Sequence, residues 1–332
     1  MKKNIILAAY NLLKVRVTGK RIPLIVGWSL TNRCNWQCSY CGRGQVNSEE
    51  LTTEQIFSII DELSSLETHS INFTGGEPLL REDIGKIIDY AKHRGIWTVL
   101  TSNGSLVPQK INEIKKIDAL ILSYDGPQEV HEQQRQKGSY QEIVKAIEIG
   151  KSHNIPIKLQ TVLTKYSINY IGTILDFVKE FNVVTSFQPV RYLPYSKKED
   201  IELLLPPIGK YKLAIANLIS EKRKGNKYIG MSIRSLNHLN DWMGRFNKEI
   251  HCRAGALYCR IETNGDLYPC SDLMFKHNAA NCVKQGFKNA FVNMKLWAEY
   301  CNSPCCSNRL DFNSVYSFDL EAIFCLRRIF KL

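Results

Sequence analysis

PLIVGWSLTNRCNWQCSYC, residues 23–41, runs from an apolar stretch directly into three thiols, Cys34, Cys38 and Cys41. Its first half, PLIVGWSLT (23–31), has the continuous apolar, β-branched character of a buried strand that ends in polar residues. Its second half spaces the cysteines as CxxxCxxC, and no further cysteine follows until Cys252. In parallel α/β sheets, chemistry gathers where strands end and loops begin, so thiols placed there point to a site.

The same rhythm returns five times. SINFTGG (70–76), WTVLTSNG (97–104), ALILSYDG (119–126), IKLQTVLT (157–164) and VVTSFQPV (183–190) are short strand-like runs. The stretches between them carry helical periodicity: with Thr53 as the expected N-cap, Ile56, Ile59, Ile60, Leu63 and Leu66 share one face. Arg81 to Arg94 and Tyr140 to His153 read likewise. Six such units predict an α/β fold, a partial (β/α)6 TIM-type barrel with a small Cys-rich C-terminal extension; an open doubly wound sheet is the other arrangement of the same units. TGGEP (74–78), TSNG (101–104) and SYDG (123–126) then converge with the thiols at one sheet edge.

Composition sets the bounds. With 332 residues, 44% hydrophobic and 23% charged, the chain has room for about two domains. No apolar run reaches the ~18–20 residues needed to span a bilayer. The net charge is +12, and Met1 to Ser48 hold eight Lys or Arg and no acid, a positive field suited to nucleic acid, anionic lipid or an acidic substrate. Eleven cysteines fall in two groups, 34–41 and 252–325, which suits metal binding in a reducing cytoplasm better than a secreted disulfide scaffold. MKKNIILAAY lacks a small-residue cleavage site.

Three thiolates can hold three corners of a 4Fe-4S cubane and leave the fourth iron open to a small molecule. A closed electron carrier or a structural zinc would need a fourth ligand from far away; three unrelated buried cysteines are the plain alternative.

CNWQCSYC, with Tyr40 before its last thiol, followed one strand later by TGGEP, resembles the radical S-adenosylmethionine (SAM) superfamily. The resemblance runs from about Pro23 to Val190. It implies that Cys34, Cys38 and Cys41 ligate a 4Fe-4S cluster whose open iron is chelated by SAM, and that one electron cleaves SAM to a 5'-deoxyadenosyl radical. It places Gly75, Gly76, Glu77 and Pro78 in the segment that receives the SAM amino group, where a carboxylate suits an ammonium. It puts Asn103 and Ser123 near the ribose or carboxylate, Arg135 opposite the carboxylate, and Gln160 and Gln188 near the adenine. For Arg135 a solvated helix-edge charge, and for the two glutamines an amide satisfied by backbone, are the alternatives. A flavodoxin- or ferredoxin-type electron donor is the implied partner.

CRAGALYCRIETNGDLYPC (252–270) resembles the auxiliary-cluster region of the SPASM and twitch subfamilies, with Gly265 at a turn between two short strand-like runs. The later CxxCxxxxxCxxxC run is absent and CNSPCCSN (301–308) stands instead. The resemblance implies one auxiliary 4Fe-4S cluster on Cys252, Cys259, Cys270 and Cys305, with Cys301 or Cys306 as alternatives for the last. Such a cluster could accept an electron from a substrate radical. Cys282 and Cys325 read as packing thiols, and structural zinc is the competing use of the group.

The expected segments are a basic amphipathic helix (1–22), the barrel core (23–235), the auxiliary domain (236–318) and a second basic helix (319–332). The terminal helices suit closure of the barrel ends; weak peripheral membrane contact is their second reading. The expected function is a radical SAM oxidoreductase or maturase acting on a peptide, protein or biosynthetic small molecule. A non-catalytic iron-sulfur carrier and a zinc-dependent nucleic-acid-binding module are the competing classes, the latter without a recognisable motif for specific nucleic acid.

Overall fold

The computed structural model describes residues 11–242, 252–274, 279–294 and 321. Its centre is a sheet of nine strands: β1 (Ile25–Thr31), β2 (Ser70–Gly75), β3 (Trp97–Ser102), β4 (Ala119–Ser123), β5 (Ile157–Leu163), β6 (Val184–Pro189), β7 (Tyr258–Ile261), β8 (Asp266–Tyr268) and β9 (Ala280–Asn281). Their order is β6-β5-β4-β3-β2-β1-β7-β8-β9. The first six strands and β7 are parallel, and β8 and β9 run antiparallel beyond them. The barrel is therefore partial and does not close.

A helical stretch at 11–18 (α1) precedes the sheet. The strands are connected through α2 (Thr53–Ser65), α3 (Ile84–His93), α4 (Val107–Ile114), α5 (Gln128–Gln134), α6 (Ser139–Ser152) and α7 (Ile171–Glu180). After β6 come α8 (Lys198–Glu202), α9 (Ile208–Arg223) and α10 (Ile233–Asn240), and after β9 come α11 (Cys282–Gln285) and α12 (Phe287–Asn293). Position 235, expected to end the core, lies inside α10. The cap of α2 is Thr52, one residue earlier than expected: its side chain accepts from the Gln55 N–H and the Gln55 side chain reaches back, a capping box. Thr53 instead donates its hydroxyl to Asp83, 2.7 Å away.

Strand alternation divides the side chains between two environments. Val26, Trp28, Leu30, Ile71, Phe73, Leu100, Leu120, Leu122 and Leu159 face the helices and form the main core, all at most 1% exposed. The register places Trp28 beside Phe73, ring centroids 6.3 Å apart. The opposite face carries Asn72, Thr101, Ser123, Lys158 and Gln160, which line a cavity inside the barrel. Ile25, Val99, Ile121 and Val162 share this inner face, so the cavity combines apolar walls with a few polar groups, as small-molecule sites do.

β7 extends the sheet at β1, so the C-terminal part is built into the barrel wall. Gly265, at φ +85°, makes the β7–β8 turn, and a Cβ there would crowd Val283 Cγ2 at 3.2 Å. Leu12 and Val15 of α1 pack with Ile22, Leu24, Leu257 and Cys270 in a second, smaller core. Among the described residues, no helix is long and apolar enough to cross a membrane. The segment 319–332 expected to form a second terminal helix, except Glu321, and Cys301, Cys305, Cys306 and Cys325 lie outside the described residues.

Candidate active site

The loop after β1 carries the three thiols and is held by the ends of its neighbours. Gly75 and Gly76 allow the loop after β2 to lie directly against it. A Cβ on Gly75, at φ +139°, would sit 2.2 Å from the Thr31 carbonyl oxygen, and one on Gly76 2.2 Å from that of Arg33. That close approach lets the Gly76 N–H donate to Thr31 O (2.7 Å) and the Glu77 N–H to Arg33 O (2.8 Å). Any side chain at either position would force the two loops apart.

Glu77 does not face the cavity. It is fully buried and accepts from the Leu79 N–H (3.1 Å), the Ser102 hydroxyl (2.9 Å) and the Asn103 N–H (2.7 Å). Burial pushes its carboxyl up to about 7, against the pull of those donors. The expected carboxylate–ammonium contact is therefore replaced by a brace between the ends of β2 and β3. Pro78 is buried at the start of a 3-10 turn, Pro78–Leu80. The cavity is lined instead by Thr74, Gly75 and Gly76.

Asn103 lines the cavity but spends its amide inside the protein. Its Nδ2 donates to Asn35 Oδ1 (2.9 Å) and its Oδ1 accepts from the Ser105 N–H and hydroxyl. Asn35 in turn donates to Ser105 (2.8 Å). The end of β3 thus grips the thiol loop between Cys34 and Cys38.

The end of β4 grips it on the other side through Asp125, which is fully buried. Its carboxylate accepts from the Tyr40 hydroxyl (2.6 Å), Arg135 Nε (2.8 Å) and the Val162 N–H (2.9 Å). Its own N–H donates to His131 Nδ1 (3.1 Å). Burial, and then the Arg135 charge, push His131 down to about 3, so this imidazole stays neutral with its proton on Nε2. Arg135 Nη1 lies 3.8 Å from Cys38 Sγ, and the guanidinium carbon sits 5.5 Å from the Tyr40 ring centre. The Ser39 N–H donates to Gln134 O at 2.8 Å. Arg135 is accordingly neither a solvated charge nor fully open to a ligand.

Cys34, Cys38, Cys41, Tyr40, Ser123, Arg135, Gln160 and Gln188 all border the same cavity, of about 400 Å³. Gln160 is held by Ser186, donating to its carbonyl (3.3 Å) and accepting from its hydroxyl (2.9 Å), so its amide is at least partly satisfied within the protein. Burial pushes the Cys38 thiol up to about 12 against the opposing Arg135 charge. The described cysteines form no disulfide. Nor, among the described residues, do three Cys, His, Asp or Glu side chains converge on one point, as a tetrahedral ion with Zn–S of about 2.3 Å demands. Three thiols that line one cavity suit three corners of a larger cluster.

Several residues of this cavity were not singled out from the sequence. Lys158, Arg191, Arg43 and Arg260 line it, and among the described residues no carboxylate does. Lys158 was legible in principle, because it lies two residues before Gln160 on one strand face. Arg43 follows the thiol loop and pairs with Glu262 at 2.9 Å, both nearly fully buried. Glu262 also pairs with Arg260 at 2.6 Å, and Arg43 stacks 4.4 Å from the Tyr195 ring centre. Burial opposes ionisation of Glu262, but Arg260 and Arg43 outweigh it and hold the carboxyl below its usual range.

The C-terminal thiols fall in two packed clusters. Cys252 and Cys270 share the smaller core with Tyr258, whose hydroxyl lies 3.3 Å from Cys252 Sγ. Cys259 belongs to the main core with Cys282. The reason is alternation: Cys259 pairs with Val26 on the helix-covered face, while its neighbours Tyr258 and Arg260 stand on the other. Cys259 nevertheless also borders the cavity.

Fold and site together define a parallel α/β partial-barrel protein whose cavity opens beneath three clustered thiols. Residues 28–178 match the model of the Radical SAM superfamily. The chain belongs to that superfamily, whose cofactors are a 4Fe-4S cluster and SAM. Mycofactocin maturase MftC of Mycobacterium tuberculosis (strain ATCC 25618 / H37Rv) is 26% identical over 291 residues, covering 85% of this chain and 73% of that one. AdoMet-dependent heme synthase of Methanosarcina barkeri (strain Fusaro / DSM 804) is 24% identical over 300 residues, covering 83% and 84%. The crystal structure of Streptococcus suis SuiB bound to S-adenosylmethionine matches with a TM-score of 0.69 at 15% identity, over 87% of this chain and 70% of that one; that likeness is one of fold.

Proposed function

We propose that the protein cleaves SAM reductively and uses the product to remove a hydrogen atom from a peptide during its maturation. The observation that carries this reading is the bordering of one cavity by Cys34, Cys38, Cys41 and the Thr74–Gly76 backbone. In it the three thiols hold the 4Fe-4S cluster and the Thr74–Gly76 backbone receives the SAM amino group. Ser123 and Gln188 border the space left for ribose and adenine, with Gln160 beside them. When bound, cluster and SAM supply a 5'-deoxyadenosyl radical after one electron arrives from a flavodoxin- or ferredoxin-type donor. The chain's own part is to fix the thiol loop through Asn103, Asp125 and the glycine pair, and to keep the radical inside a walled cavity.

A peptide substrate is favoured by the likeness to MftC, a maturase by name; a structure of SuiB bound to its precursor peptide SuiA shares the fold. The likeness to a heme synthase favours a small biosynthetic molecule as the second reading. In this reading Cys252, Cys259 and Cys270 share an auxiliary cluster with Cys305, or with Cys301 or Cys306 in its place. A reducing cytoplasm suits both clusters.

Anaerobic reconstitution with iron and sulfide, followed by dithionite and SAM, tests the reading. Formation of 5'-deoxyadenosine is expected. Its absence would overturn the proposal in favour of an electron carrier or a zinc module.

A further inference from the structure

We propose that Arg135 tunes the SAM-binding cluster, donating a hydrogen bond from Nη1 to the Cys38 sulfur and so making that cluster easier to reduce. This rests on the reading of Cys34, Cys38 and Cys41 as its ligands.

Arg135 is placed for this role by contacts that leave it little freedom. Its side chain is 6% exposed and its Nε is bound to Asp125, itself 0% exposed. Asp125 is immobilised in turn by the Val162 N–H and the Tyr40 hydroxyl. The Arg135 backbone N–H donates to His131 O at 3.0 Å, at the end of α5. Fixed in this way, the guanidinium sets Nη1 3.8 Å from Cys38 Sγ, within hydrogen-bonding range for sulfur. The Asp125 charge holds it protonated although burial opposes the charge.

Reduction adds one electron from an external low-potential donor and moves no atom of the protein. The cluster and its thiolates become more negative by one charge. A fixed cation at a ligand sulfur stabilises the reduced form more than the oxidised one, and hydrogen bonds to the sulfurs act in the same sense. The guanidinium meets Asp125 through Nε and approaches Cys38 through Nη1, a different nitrogen, so the Cys38 sulfur is in direct contact with the cation.

This differs from a clamp on the SAM carboxylate and from a purely structural strut. The three separate in an EPR-monitored potentiometric titration run without SAM, following the signal that later SAM addition perturbs; that criterion selects the open-iron cluster over any auxiliary one. In Arg135→Gln the reduced-to-oxidised ratio at a given potential should fall about tenfold, equivalent to about 59 mV for a one-electron couple. Arg135→Lys should recover part of the loss. Asp125→Asn, which leaves the cation but removes its counter-charge, should shift the ratio the opposite way. An unmoved potential with weakened SAM binding would overturn the proposal in favour of the clamp, and an unmoved potential with lowered stability alone would do so in favour of the strut. Wild-type protein with no SAM-responsive signal would overturn the ligand reading itself, and the proposal with it.

Discussion

Gly76 lies so close to Arg33 that a Cβ at position 76 would stand 2.2 Å from the Arg33 carbonyl oxygen. The pair makes the TGGEP loop a buttress for the thiol loop. Gly76→Ala is expected to push the loops apart, break the Glu77 N–H to Arg33 O bond, and lose most of the iron bound near Cys34. Iron and sulfide assays after anaerobic reconstitution, beside circular dichroism to confirm folding, check this. A folded variant with wild-type iron content would contradict the buttress.

Glu77 gives a pH signature. Its folded value is raised to about 7 from an ordinary 4.5, so the folded state holds the proton more tightly than the unfolded one. The resulting stability is fully present below pH 4.5 and is lost as pH rises through 7. The gap between the two values corresponds to a change of up to about 3 kcal/mol. Denaturant unfolding at several pH values between 4.5 and 8 should show a decline that is missing in Glu77→Gln. The substitution also misplaces a donor against three donors, so its stability is expected to be low throughout. An identical slope in both proteins would assign the decline to other groups.

The six parallel strands were legible because their apolar runs are short, regularly spaced and closed by polar residues, and each of the six runs contains its strand. The inward turn of Glu77 and the strand face of Cys259 were not. Composition shows a carboxylate beside two glycines, but only the fold reveals that three donors from two strand ends turn it inward. Spacing groups Cys252, Cys259 and Cys270, but only the register against β1 shows that Cys259 shares a face with Val26. The pairing of Arg43 with Glu262, 219 residues apart, has no local signal at all.

That pairing yields its own expectation. Glu262→Ala would strand two buried guanidinium groups, Arg43 and Arg260. Removing one partner of a buried ion pair costs about 3–5 kcal/mol. Asn32 accepts from Arg43 at 2.7 Å, and Ser29 accepts from Arg260, so the lower end applies. A fall of about 3 kcal/mol in denaturant stability is expected; a change under about 0.5 kcal/mol would show that β7 is held to the barrel by its strand pairing alone.

The C-terminal thiols carry a prediction of their own. Cys252→Ala, Cys259→Ala and Cys270→Ala should each lose the iron of an auxiliary cluster while retaining some SAM cleavage. Iron quantification with the 5'-deoxyadenosine assay checks this, and full iron content in Cys259→Ala would remove that thiol from the ligand set.

The central claim is that Cys34, Cys38 and Cys41 hold a cluster with one iron open to SAM. The EPR spectrum of the dithionite-reduced protein, recorded before and after SAM addition, tests it most directly. The spectrum should change on SAM addition in the wild type, and the responsive signal should be absent from Cys38→Ala. A reduced cluster signal indifferent to SAM in the wild type, or a SAM-responsive signal that survives in Cys38→Ala, would contradict it.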